Sequence, residues 1–303
     1  MNRRTFGSYL LGLLQLPPAV QATRVALPIN AKEENLVVMP LLGTREVFVV
    51  PPARPHCFVR HLSLEGFGCR NWQVVPNAVE GVWATNHTWE WRDDGTFGCI
   101  GRVTEGVRYT LEIRPGTDLL DLRVTVQNFG KQTLKGLYAA MCVDIRRNVV
   151  MYDPTLERSY VSVSGRPVPM SQTDVAGSHG GVMPVYFLNE TAPGDRWIPD
   201  ASAAYGWRIS ATDLDSPLTA VASRDLHWFV GTWFWPCHSV TGNAKIPDHG
   251  CIHSNPAFGT LRPGKSATAV GRIYIVSGSL EKVWERMATD WRRARMGKLS
   301  AST

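Results

Sequence analysis

His249, Cys251 and His253 stand two residues apart in an apolar, strand-like stretch. Side chains two apart on a strand point to one face, so these three would converge. Imidazole and thiol are the donors that suit zinc or copper, and the three could hold a metal ion; no other cofactor is expected. Asp248 beside His249 could form a carboxylate–imidazole pair for general acid–base work, with His253 as a second catalytic imidazole. His238 is a further substrate-binding candidate. So is His179 in Ser178-His179-Gly180-Gly181, where the glycines would let a ligand approach the backbone. Cys237 and Cys251 bracket a turn-rich segment. They are expected to form a disulfide or to share one ion.

Indole rings recur at the same spacing. Trp89 and Trp91, and Trp233 and Trp235, each lie two apart. Exposed, they would be platforms for the C–H faces of sugar rings; buried, they would be core. No Gly-x-Ser-x-Gly elbow and no phosphate-cradling loop is present.

The elements that must position these groups read as strands. Leu36–Leu42, Val47–Val50, Arg108–Arg114 and Leu119–Asn128 are β-rich or alternating. Asp93-Asp94-Gly95 and Pro115-Gly116-Thr117-Asp118 supply turns. Gly136–Asp144 is nearly all apolar and reads as a central strand. Pro193–Ala203 is polar and irregular, a candidate rim loop. Near the end, Leu280, Val283, Trp284, Met287 and Trp291 recur at helical spacing behind Ser279, a suitable N-cap. The reading is all-β: a large antiparallel β-supersandwich over 35–276, then a helix and tail over 277–303.

Residues 1–22 read as an export signal. Arg3 and Arg4 precede a short apolar run, and Val20-Gln21-Ala22 offers a cleavage site. The arginine pair also fits the twin-arginine route. Residues 23–34 would be a tether, and the destination periplasmic or extracellular. The net charge of +6 in 303 residues is a mild excess, and the one dense basic run, Arg292 to Lys298, reads as a solvated helix face. Nucleic acid is therefore not an expected partner. No apolar run reaches the ~18 residues of a membrane span. The six cysteines permit disulfides after export.

Two stretches resemble the galactose mutarotase-like (aldose 1-epimerase-like) superfamily. Leu111 to Gly130 resembles its middle strand pair ending in V-x-N, here Val126-Gln127-Asn128. Ile246-Pro-Asp-His-Gly, Asn255-Pro and Leu261-Arg-Pro-Gly-Lys resemble its closing pattern. The resemblance spans roughly Asn35 to Val276 and implies a β-supersandwich that binds sugar. Two family motifs are missing. Gly242, Asn243 and Ala244 stand where the catalytic Glu would, and Ala139 to Asp144 holds no His. Two function classes stay open. One is an enzyme on sugars: an epimerase or isomerase, a polysaccharide lyase, or a hydrolase. The other is a non-catalytic carbohydrate-binding, structural or metal-binding sandwich.

Overall fold

The computed structural model describes residues 35–40, 47–52, 59–71, 88–104, 106–145, 148–174, 183–198, 206–243 and 250–299. The expected export signal and tether lie outside these residues. Two large sheets make up the described chain. One runs β1 (Val37–Pro40), β2 (Val47–Val50), β3 (Val59–Gly68), β8 (Leu134–Asp144), β16 (Cys251–Leu261), β15 (Cys237–Asn243), β11 (Met183–Tyr186), β12 (Trp207–Ile209). The other runs β10 (Arg166–Pro169), β9 (Ser159–Val163), β13 (Ser216–Ala222), β14 (Trp228–Trp235), β17 (Ser266–Ser277), β7 (Leu119–Asn128), β6 (Val107–Pro115), β5 (Phe97–Thr104), β4 (Thr88–Trp91). Neighbours pair antiparallel except β11 with β12. The expected sandwich is therefore present, and Gly136–Asp144 falls within a central strand of the first sheet, between β3 and β16.

Alternation decides which side of each strand enters the core. On β8, Leu137, Ala139, Met141 and Val143 join Ile113, Leu120, Val230, Phe234 and Ile273 between the sheets. Tyr138, Ala140, Cys142 and Asp144 must then face away from the second sheet. On β16, Ile252 is in the same core, so Cys251 and His253 face away too. This outer face of the eight-stranded sheet carries buried polar groups: Cys142, Asp144, Thr241, Asn243, His253 and Asn255.

The outer face of the nine-stranded sheet is covered instead by α1 (Leu280–Arg295). Val283, Trp284, Met287, Trp291 and Ala294 pack on Leu218, Ala220, Phe229, Trp233 and Tyr274. Ser279 caps the helix by accepting a bond from the Lys282 amide, as its type predicts. Close docking needs Gly231, where a Cβ would come within 2.7 Å of the Met287 sulfur. No helix among the described residues is long and apolar enough to cross a membrane.

Asn128 shows what the V-x-N strand end does. It is buried, donates to the Gln132 and Leu261 carbonyls at 2.8 and 2.9 Å, and accepts from the Gly130 amide at 2.9 Å. It ties the β7 end to the chain entering the β16–β17 turn. That is a structural role, so the pattern marks fold rather than chemistry.

Candidate functional site

Chemistry-bearing groups gather at two places on the outer face of the eight-stranded sheet. The first lies where β8, β15 and the 191–198 loop meet. Here Tyr138 and His238 stack at 4.0 Å with planes 7° apart. Trp197 stands edge-on to both, at 5.6 and 5.7 Å, and Phe187 meets His238 edge-on at 5.4 Å. The Tyr138 ring lies over Gly68, where a Cβ would come within 2.2 Å of it. No larger residue on β3 would leave the ring in place.

Trp197 belongs to the expected rim loop. Arg196 fixes that loop by a two-pronged pair to Asp213 at 2.6 and 2.9 Å. Arg70 holds the same loop through the Gly194 carbonyl and Asp195, and its guanidinium sits 5.8 Å from the indole centroid. Arg70, Asp195, Trp197 and His238, with Lys135, Thr191 and Thr260, border a cleft of about 470 Å³.

His238 reaches this cleft through a bulge. The β15–β16 register shifts between Cys237 and Ser239. Such an insertion re-aims the local side chains. His238 Nδ1 bonds Ser239 Oγ at 3.0 Å, and Asn255 donates to the same oxygen at 3.0 Å. Its Nε2 is buried and finds no partner among the described residues. Burial, and then the Arg70 charge, push its pKa down to about 3. The ring is neutral at pH 7, so one nitrogen can donate and the other accept.

The second place lies four residues along β16, roughly 13 Å away at strand rise. Cys142 pairs directly opposite His253, and Cys251 is two residues before it. His253 Nε2 lies 3.1 Å from Cys251 Sγ. Trp207 on β12 meets the imidazole edge-on at 5.8 Å. A hydrogen bond from Cys142 lowers the Cys251 pKa, while burial and then the same pairing raise that of Cys142. Burial alone would lower the His253 pKa, but the Cys251 thiolate, Glu65 and Asp144 raise it on balance.

The sequence-named residues divide accordingly. His253 and Cys251 come together as expected, and their third neighbour is Cys142. His249, Asp248, His179 and the Trp91 side chain lie outside the described residues. His238 does line a cleft, with Trp197 as the indole beside it.

Three expectations need correcting. Cys237 and Cys251 are both free thiols. They pair with Pro256 and Asn243, so five residues of β16, roughly 16 Å, separate them. A disulfide and a shared ion are both out of reach. Cys237 instead packs against the Val161, Tyr186 and Val240 cluster and borders the His238 cleft, its Sγ 3.6 Å from Ser254 Oγ. Trp233 is fully buried under α1 and donates to Tyr274, so it is core rather than platform. Trp89 stacks on Phe97 at 4.7 Å, on the other sheet from both His238 and His253.

Trp235 borders a separate cleft of about 480 Å³ beside Glu112, Arg114, Asp121 and Arg123. Its charges are already paired with one another or with neighbours: Arg114 with Asp94, Glu112 with Arg92 and Arg123, Asp121 with Arg272. Arg295 and Trp291 cover the Trp235 ring. That cleft offers a ligand less than the Trp197–His238 cleft does.

No protein-family model matches the sequence, and no curated protein matches it. Among solved structures the chain is similar to a galactose mutarotase-like protein from Lactobacillus casei ATCC 334. The identity is 10%, the match covers 80% of this chain and 100% of that one, and the TM-score is 0.43. It is also similar to a galactose mutarotase related enzyme from Lactobacillus acidophilus, at 11% identity, 81% and 98% coverage and TM-score 0.38. A polysaccharide lyase is similar at 12% identity and TM-score 0.42, over 87% of this chain and 34% of that one. The likeness is one of fold.

Proposed function

We propose that the chain is an exported carbohydrate-binding protein that holds its sugar in the Trp197–His238 cleft. The carrying observation is a buried, unpaired imidazole nitrogen beside an indole in a polar-rimmed cleft. An indole covers the apolar face of a pyranose, and a neutral imidazole exchanges hydrogen bonds with its hydroxyls. The sequence resemblance to sugar-binding supersandwiches points the same way. Binding is favoured over turnover in this cleft. A general acid–base group should titrate near the working pH, and His238 at about 3 does not. Neither His238 nor His253 hydrogen-bonds a carboxylate among the described residues.

Calorimetric titration with a panel of neutral and acidic oligosaccharides tests this. Trp197→Ala should weaken the best ligand by roughly five- to thirtyfold, because an aromatic contact of this kind is worth about 1–2 kcal/mol. An unchanged affinity in that variant, or no ligand in the panel, would count against the reading. Export is tested separately, by N-terminal sequencing of secreted protein, which should begin near Thr23.

The same histidine makes a second expectation. Its pKa is depressed in the fold from 6.5 to about 3, so between these pH values the unfolded chain binds a proton that the folded chain does not. Stability should therefore fall as pH drops through this window. His238→Gln should remove up to one proton from that slope. Equal slopes in both proteins from denaturant melts at pH 4 to 7 would show that His238 titrates normally.

A further inference from the structure

We propose that Cys142, Cys251 and His253 form a binding site for Zn²⁺ on the outer face of the eight-stranded sheet. It stands apart from the sugar cleft and does not depend on it. The ligand atoms of the three residues all lie within 4.8 Å of one another. On a tetrahedral zinc with bonds of about 2.0–2.3 Å, such donors would sit roughly 3.5–3.8 Å apart. The sheet already holds them near that spacing, with His253 Nε2 3.1 Å from Cys251 Sγ. Small rotations of side chains around a central ion would complete the arrangement.

The backbone fixes this geometry. Cys251 and His253 share a face by the period of two, and register sets Cys142 opposite His253. All three are buried, at 2%, 6% and 1% exposure for Cys142, Cys251 and His253. Polar groups placed so deep normally have their bonds satisfied. Here His253 Nδ1 and the Oγ1 of Thr241, its cross-strand neighbour, are buried and find no partner among the described residues. The shortfall lies at and beside the donors, whose polar capacity the described residues do not fill.

The donor set selects the metal. Two sulfurs and one imidazole are soft to borderline ligands and exclude magnesium and calcium. Binding Zn²⁺ displaces one proton from the Cys142 thiol and one from the Cys251–His253 pair, and the two thiolates balance the ion's charge. That balance matters because all three donors are buried. Among the described residues no fourth donor joins the three. Three protein ligands leave a tetrahedral position for water or a substrate atom, the pattern of zinc sites that do chemistry.

Cobalt(II) is the probe. Reduced, chelator-treated full-length protein should bind one equivalent, with a sulfur-to-cobalt charge-transfer band and the visible bands of a tetrahedral ion. Zn²⁺ should bleach both. Cys142→Ser, Cys251→Ser and His253→Ala should each weaken Co²⁺ binding by roughly a hundredfold or more, since each ligand carries a share of the binding free energy. Cys237→Ser, roughly 16 Å along the β15–β16 pair from Cys251, should bind as the wild type does. Should a ligand variant fail to fold, the wild type still decides: Zn²⁺ must raise its melting temperature and release two protons per ion. Absence of the charge-transfer band, a band that survives Cys142→Ser, or a melting temperature indifferent to Zn²⁺ overturns the site. So does a Cys142–Cys251 disulfide in protein isolated under mild reduction.

Discussion

Trp233→Ala should lower the unfolding free energy by about 3–5 kcal/mol, the range for deleting a fully buried large aromatic side chain. Trp233 is completely buried beneath α1, and its indole donates to Tyr274 at 3.0 Å. Removing it opens a void against Met287 and Trp284 and leaves the Tyr274 oxygen without its donor. Trp233→Phe should cost much less, because most of the apolar contact survives. Sugar affinity measured well below the melting temperature should stay at the wild-type value in both variants. The Trp197 cleft lies on the other sheet. A variant that keeps its stability yet loses the ligand would restore Trp233 to the role of platform.

That expectation also shows where sequence reasoning reached and where it stopped. Period-two spacing correctly put Trp233 and Trp235 on one face of β14, since both pack against the cluster beneath α1. It could not say what covers that face. β14 is apolar on both sides, with Val230 and Phe234 turned to the sandwich core and Phe229 and Trp233 to the helix. A strand buried on both faces looks the same from either side. The helix itself was legible, because its apolar spacing and its serine cap are local signals. So were the turns at Asp93–Gly95 and Pro115–Asp118, where residue type dictates the backbone.

The candidate sites were half legible for the same reason. Cys251 and His253 share a face by local periodicity. Cys142 joins them only because β8 pairs with β16, strands more than a hundred residues apart in sequence. One local sign was available. In the apolar run ending β8, Cys142 and Asp144 are the groups able to bind a cation, and they alternate on one side. The Cys237–Cys251 expectation failed through distance along a shared strand pair, which loop length alone does not reveal. Trp197 escaped notice because it lies in an irregular loop, where no period points a side chain. Arg70 and Asp213, remote in sequence, are what fix it.

The Asp290→Ala variant should be nearly as damaging as Trp233→Ala, at about 3 kcal/mol or more. Asp290 on α1 is buried and accepts from Tyr274 at 2.8 Å and from Arg272 at 2.8 Å. Arg272, 6% exposed, also bonds Asp121 at 2.6 Å. The chain Trp233–Tyr274–Asp290–Arg272–Asp121 thus threads polar bonds through the contact between helix and sheet. Removing the carboxylate leaves the Arg272 cation short of one partner and the Tyr274 hydroxyl short of its acceptor, both in a place water does not reach. A buried pair is costly to break yet adds little over an apolar substitute, because both ions had to be desolvated. Arg272→Met combined with Asp290→Ala should therefore be no less stable than Asp290→Ala alone, with an interaction energy of about 1–3 kcal/mol in a double-mutant cycle. Strictly additive losses from denaturant melts would mean that the two side chains act independently, and that α1 is held by its apolar face alone.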